Sequence, residues 1–172
     1  MPRTIAVMIE LLASIGALWL LSLLSTLLHE LGHALGYVLA TGDAHWHIRV
    51  GWGRRLLRTR ALTVNLLVFD GLFTPLERKV DTRAKLITTL LGGPVASLLL
   101  VLGLSILRLG GFSPQSEVLA DGAIEFFLNA ALSLNLYILI LSIVPAHYLY
   151  GEVKGLETDG LQILHAMRGS EG

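Results

Sequence analysis

The sequence predicts a mainly α membrane protein, with three transmembrane helices and a small membrane-associated β segment between the first and second. Three observations carry this. The 172 residues are 53% hydrophobic and only 15% charged, with a mean hydropathy of +0.68, far from the soluble average. Three long apolar runs account for most of the chain. The stretch joining the first two is aromatic, β-branched and partly alternating. Residues 1–172 read as one polytopic domain, with spans at about 5–40, 84–108 and 122–149 and the β-rich segment at about 44–74.

The first run, Ile5 to Ala40, is too long for one straight crossing, which needs about 20 residues at 1.5 Å each. Glu10 is its only acid before Glu30, and a charge prefers the interface. A helix from Glu10 to His29 rises ~28 Å, about one hydrocarbon thickness. No cleavable leader is expected, because cleavage inside this run would remove the start of its most informative helix.

The connecting stretch HWHIRVGWGRRLLRTRALTVNLLVF suggests two or three short strands, with turns near Gly51-Trp52-Gly53 and Asp70-Gly71. The second run, Leu86 to Leu107, is interrupted by Gly92-Gly93-Pro94. From Pro94 onward only ~21 Å of helix remains, too short to cross. The residues before the break are therefore expected to contribute as a kinked turn. The third run, Gly122 to Tyr150, ends around Pro145 and carries Asn129, Asn135 and Ser142. A short tail helix is expected over Leu161 to Met167.

Arg49, Arg54, Arg55, Arg58, Arg60, Arg78, Lys79, Arg83 and Lys85 all lie between the first two spans, and Gly110 to Asp121 holds no base. The positive-inside rule places the basic segment in the cytoplasm and the N-terminus outside. The formal net charge is zero, which argues against a nucleic-acid partner; anionic headgroups fit the basic segment. With no cysteine, any metal must be held by His, Asp or Glu.

His29-Glu30-Leu31-Gly32-His33 is the pattern H-E-x-x-H. Histidines four apart share a helix face and can offer two imidazoles to one zinc ion. Glu30, offset by about 100°, lies beside the ion as a general base. Three ionisable groups in five residues near hydrocarbon would each be costly without a partner. Thr26, one turn earlier, is a candidate to orient Glu30.

The third ligand is less direct. Leu39 stands where an extended zincin pattern has a third histidine. Glu77 would serve a gluzincin-like arrangement, although the run Glu77 to Asp81 also reads as a solvated turn. Three Asp-Gly pairs begin at Asp70, Asp121 and Asp159. Asp121 falls at the opposite end of a span from His33. Asp70 sits in the strand region, where Asp-Gly usually makes a turn. Asp159 follows the third span back to the side of His33 and is favoured. His45 and His47 share a strand face without an acid. His147 follows Pro145 near the proposed site, and His165 lies on the tail helix.

The order HELGHALGYVLA, a β-rich segment, LLGGPVASLLL, a third span ending in Pro, then ETDGLQIL resembles the site-2 protease family of intramembrane zinc metalloproteases. The resemblance spans Leu20 to Leu164. It implies a three-helix transmembrane catalytic core that cuts transmembrane segments of substrate proteins, usually within regulatory cascades. By motif, His29, His33 and Asp159 match the ligands of one Zn2+ ion, Glu30 the catalytic base, and Gly93-Pro94 the Gly-Pro of the second core helix. Gly92, Gly93, Pro94, Ser97, Ser142 and Pro145 are expected to bind substrate or support the site.

There are departures. Ser97 stands where the family often has Asn after the Gly-Pro, and Ser142-Ile143-Val144-Pro145 where it often has Asn-x-x-Pro. The interval from Pro145 to Asp159 is longer than the compact form. No PDZ or CBS-type module is expected. The sequence reading is therefore a zinc metalloendopeptidase in the bilayer, its active site near the cytoplasmic face. The strands over His45 to Leu72 would receive an extended substrate by edge pairing. A metal-binding but non-proteolytic membrane regulator and the Glu77 gluzincin-like protease remain alternatives.

Overall fold

The computed structural model describes residues 3–77, 79–110 and 118–169, the side chains of 118–121 excepted. In chain order the elements are α1 (Arg3–Thr41), β1 (Trp46–Arg58), β2 (Leu62–Pro75), α2 (Arg83–Leu109), α3 (Val118–Ile143) and α4 (Asp159–Arg168). Helices α1, α2 and α3 are each long and apolar enough to cross a membrane. The mainly helical architecture with one intervening β unit is as the sequence predicts.

α1 is one uninterrupted helix of 39 residues, about 58 Å long, so its excess length is not removed by a break. Its buried residues include Ser22, Thr26, His29, Glu30, Gly32, His33, Gly36 and Tyr37. They recur at three- and four-residue spacing, which makes one stripe of the helix. Glycine lets α2 approach this stripe at backbone distance. A Cβ on Gly32 would strike the carbonyl of Gly92, one on Gly92 that of Gly32, and one on Gly36 would meet Thr88.

α2 corrects one expectation. Gly92-Gly93-Pro94 does not break the helix, which runs through to Leu109 with Pro94 inside it. Proline costs the bond to the carbonyl four residues earlier, and the flanking glycines serve the close helix crossing. The Thr82 hydroxyl caps its N-terminus, accepting from the Lys85 N–H at 3.3 Å.

The β unit corrects a second. It holds two long antiparallel strands, and the chain reverses at Thr59–Arg60–Ala61, not at either expected turn. Gly51 and Gly53 have φ of +75° and +81°, a region open to glycine at little cost. They bend β1 without ending it. Ile48 accordingly pairs with both Phe73 and Leu62, and Val50 with both Gly71 and Val64. Asp70-Gly71 lies within β2. Ile48, Val50 and Val68 pack with Ala34 of α1 in the core, flanked by Trp19, Leu23 and Leu27. The Trp19 indole N–H donates to the Leu66 carbonyl at 2.7 Å, so the sheet lies along α1 rather than beyond its end.

α3 ends at Ile143, and α4 begins at Asp159, two residues before the expected start. Between them the chain folds back on itself. The Tyr148 backbone N–H donates to the Leu156 carbonyl, that of Gly155 to the Tyr148 carbonyl, and that of Thr158 to the Ala146 carbonyl. The Gly110 to Asp121 loop lies largely outside the described residues, as does the side chain of Asp121.

Candidate metal centre

His29 and His33 emerge one turn apart from the buried face of α1, and Asp159 arrives from the first turn of α4. The two Nε2 atoms are 3.2 Å apart. Asp159 Oδ2 lies 3.5 Å from Nε2 of His29 and 3.3 Å from that of His33. A tetrahedral zinc ion with bonds of about 2.0–2.1 Å sets its ligand atoms about 3.3 Å apart. The three sides of this triangle match that spacing, and all three residues are buried and within range to hold a metal ion.

Two further observations fit a cation. Asp159 Oδ2 is buried and has no hydrogen-bond partner among the described residues. A buried polar atom left so costs roughly 1–3 kcal/mol, more if charged. The far nitrogens are also engaged. His33 Nδ1 lies 2.9 Å from the Thr89 carbonyl; a carbonyl only accepts, so Nδ1 carries the proton and Nε2 keeps its lone pair. The Gly93 N–H is 3.4 Å from the same nitrogen, too long to compete. His29 Nδ1 is 2.9 Å from the Ser97 hydroxyl. Outer partners of this kind fix ring orientation in metal sites.

The supporting elements explain themselves locally. Gly93 lies directly under the triangle, since a Cβ there would strike Nε2 of His33 and crowd that of His29. The Thr158 side chain accepts from the Leu161 N–H at 3.3 Å and from the Ala146 N–H at 3.2 Å, and donates to the Val144 carbonyl at 2.7 Å. It thus caps α4 and ties its first turn to the end of α3. Gly160 packs against the Ile143 carbonyl.

Glu30 is buried beside the triangle and lies against β2, where a Cβ on Gly71 would collide with its carboxylate. Glu30, His29, His33 and Asp159 line a cavity of about 480 Å³, completed by Leu72, Phe73, Tyr148, Leu156 and others. Glu30 also borders a smaller space of about 60 Å³ with Thr26, Ser142 and Tyr148. The Thr26 hydroxyl lies 3.5 Å from the Val68 carbonyl and borders the same space as Glu30.

The other sequence candidates divide. Ser97 is fully buried and reaches His29. Gly92 meets Gly32, and Pro94 continues the same helix. Ser142 is buried and donates to the Leu139 carbonyl at 3.0 Å, and Pro145 is exposed beyond α3. Glu77 is not among the residues of the triangle. It belongs to a separate group with Asp43 and His45, where the Lys79 ammonium already sits 2.9 Å from Glu77 and 3.4 Å from Asp43. The gluzincin arrangement therefore lacks its ligand. His47 meets the Arg60 carbonyl and Thr63 and does not converge with His45. His147 is exposed and pairs with Glu157 through the backbone in an isolated antiparallel β-bridge; the His165 ring lies 3.3 Å from the Glu157 carboxylate.

Sequence reasoning missed Thr89, Tyr148, Tyr150 and the pair Arg49–Asp70. Arg49 lies 3.5 Å from Asp70 and 3.1 Å from Glu152, and the Glu152 N–H donates to Asp70 at 3.0 Å. Burial pushes the Asp70 carboxyl above its ordinary pKa, against the pull of Arg49. These contacts pin residues 148–156 against the sheet and over the cavity. The one signal for them was the long interval between Pro145 and Asp159. No protein-family model, curated protein or solved structure matches the chain.

Proposed function

We propose that this chain is an intramembrane zinc metalloendopeptidase of site-2 protease type, cutting peptide bonds in or near transmembrane segments of other proteins. The single observation that carries the reading is the buried triangle of two imidazoles and one unpartnered carboxylate oxygen, with a second carboxylate beside it. Zinc suits a site of two nitrogens and one carboxylate oxygen, with a fourth position open. When bound, it supplies Lewis acidity and an acidified water.

The chain's own residues then have separable tasks. His29 and His33 are held by Ser97 and Thr89. Asp159 neutralises charge and is placed by the Thr158 cap. Glu30 takes a proton from the attacking water as its oxygen bonds to the peptide carbon, and passes it to the departing amine as the C–N bond breaks. A helical substrate hides its carbonyls and must first unwind. β2 lines the cavity at Gly71, Leu72 and Phe73 and offers a surface along which an extended segment can lie. The basic connecting segment favours a cytoplasmic location for this end of the bundle.

The test is cleavage of a model transmembrane substrate in proteoliposomes, with zinc content measured on the same samples. Glu30→Gln is expected to keep its zinc and lose at least 100-fold in rate, within the range of general-base effects. Full cleavage by Glu30→Gln would remove the mechanism. Zinc without cleavage in the wild type would instead support the non-proteolytic regulator.

A further inference from the structure

A line of spaces runs from the site along one face of α1. Leu18, Ser22, Thr26 and Glu30 stand four residues apart on that helix, so they form one row. Opposite them on α3 run Ala130, Leu134, Tyr137, Ile138 and Leu141, again at helical spacing. Between the rows lie three spaces that share their walls. The outermost, of about 360 Å³, is bounded by Leu18, Ser22, Ala130, Leu134 and Tyr137. The next, of about 310 Å³, shares Ser22, Leu134 and Tyr137 and adds Thr26, Trp52, Phe69 and Tyr150. The innermost shares Thr26, Phe69, Tyr137 and Tyr150 and reaches His29 and Glu30.

We propose that this groove between α1 and α3 is the docking track for an extended, unwound segment of a membrane-protein substrate on its way to Glu30. The proposal rests on the protease reading and names where its substrate lies. Continuity with the metal centre selects this occupant: a groove ending at a catalytic carboxylate suits a peptide, whose backbone must arrive there. From Leu18 to Glu30 the row spans about 18 Å, the length of about five extended residues. The walls supply polar points in an otherwise apolar channel. Ser22 and Thr26 are buried hydroxyl residues, and the buried Trp52 indole N–H has no acceptor among the described residues. An unwound segment brings the free carbonyls that such a donor lacks. At the inner end, the Tyr137 and Tyr150 hydroxyls meet at 2.7 Å, joining α3 to the segment over the site.

The test places a photoreactive benzophenone residue at Leu134, or at Leu99 on the exposed face of α2, in Glu30→Gln protein reconstituted with a model transmembrane substrate. Substrate adducts are expected several-fold more often at 134 than at 99; equal adducts would overturn the track. Ser22→Trp, which fills the groove, is expected to raise KM at least tenfold with zinc content unchanged, whereas Leu99→Trp leaves KM alone. Unchanged KM in a zinc-replete Ser22→Trp protein would also overturn it. Wild-type cleavage, measured in parallel, separates the two claims: cleavage with equal adducts removes the track only, and adducts at 134 without cleavage remove the protease reading only.

Discussion

Ser97 shows how much of this site rests on single side chains. It is fully buried, and its hydroxyl lies 2.9 Å from His29 Nδ1. Removing it frees the imidazole to rotate without touching Nε2, the nitrogen that faces His33 and Asp159. Outer-shell losses of this kind cost roughly 10–100-fold in metal affinity. Ser97→Ala is therefore expected to fold and to weaken zinc binding by about that factor in a competitive chelator titration; wild-type affinity would show that His29 needs no such partner. That His29 and His33 converge was legible from spacing alone, because a four-residue interval fixes a shared helix face. Ser97 was noticed only as a departure from a familiar pattern. Its partner lies 68 residues away in sequence, and no periodicity records such a pairing. Thr89 left no signal, since it acts through its backbone carbonyl.

Among the elements, the apolar runs announced their helices, yet the strongest local signals misled. Gly-Gly-Pro reads as a helix break, but in α2 it serves the crossing with α1 and the space under the two imidazoles. Gly51-Trp52-Gly53 reads as a turn but bends a strand that goes on pairing. In each case tertiary contact decided what glycine was for. The junction between α1 and the approach to α2 is held by Asp43. It accepts from the Tyr37 hydroxyl at 2.6 Å and lies 2.6 Å from His45 Nδ1 and 3.4 Å from the Lys79 ammonium. The Tyr37 bond, outweighing burial and helped by His45 and Lys79, holds this carboxyl well below the usual range. A depressed native pKa stabilises the fold fully above the unfolded value, near 3.9, and ever less as pH falls through the native one. Asp43→Asn should therefore lower the melting temperature in detergent at pH 7, with the deficit shrinking only under strongly acidic conditions. Equal melting temperatures at pH 7 would show that the junction contributes nothing.

At the scale of the whole molecule, the three helices and the sheet bring residues 29, 33 and 159 to one point, which requires the late part of α1 and the start of α4 to share an end of the bundle. That was foreseeable from counting crossings; the substance of the segment over the site was not. Arg54, Arg55, Arg58 and Arg60 are exposed around the tip of the hairpin, consistent with the cytoplasmic placement we propose. The chain lacks cysteine, so single cysteines report sidedness without background. In cells, Thr59→Cys is expected to resist an impermeant thiol reagent added from outside, and Arg3→Cys to react with it; the reverse pattern would invert the orientation.

The central claim is that His29, His33 and Asp159 hold one zinc ion, and X-ray absorption at the zinc edge tests it most directly. Purified wild-type protein should contain one zinc per chain, with two imidazole nitrogens and oxygen neighbours at about 2.0–2.1 Å. Protein loaded under the same conditions without stoichiometric zinc, or with a shell lacking imidazole, would contradict the account.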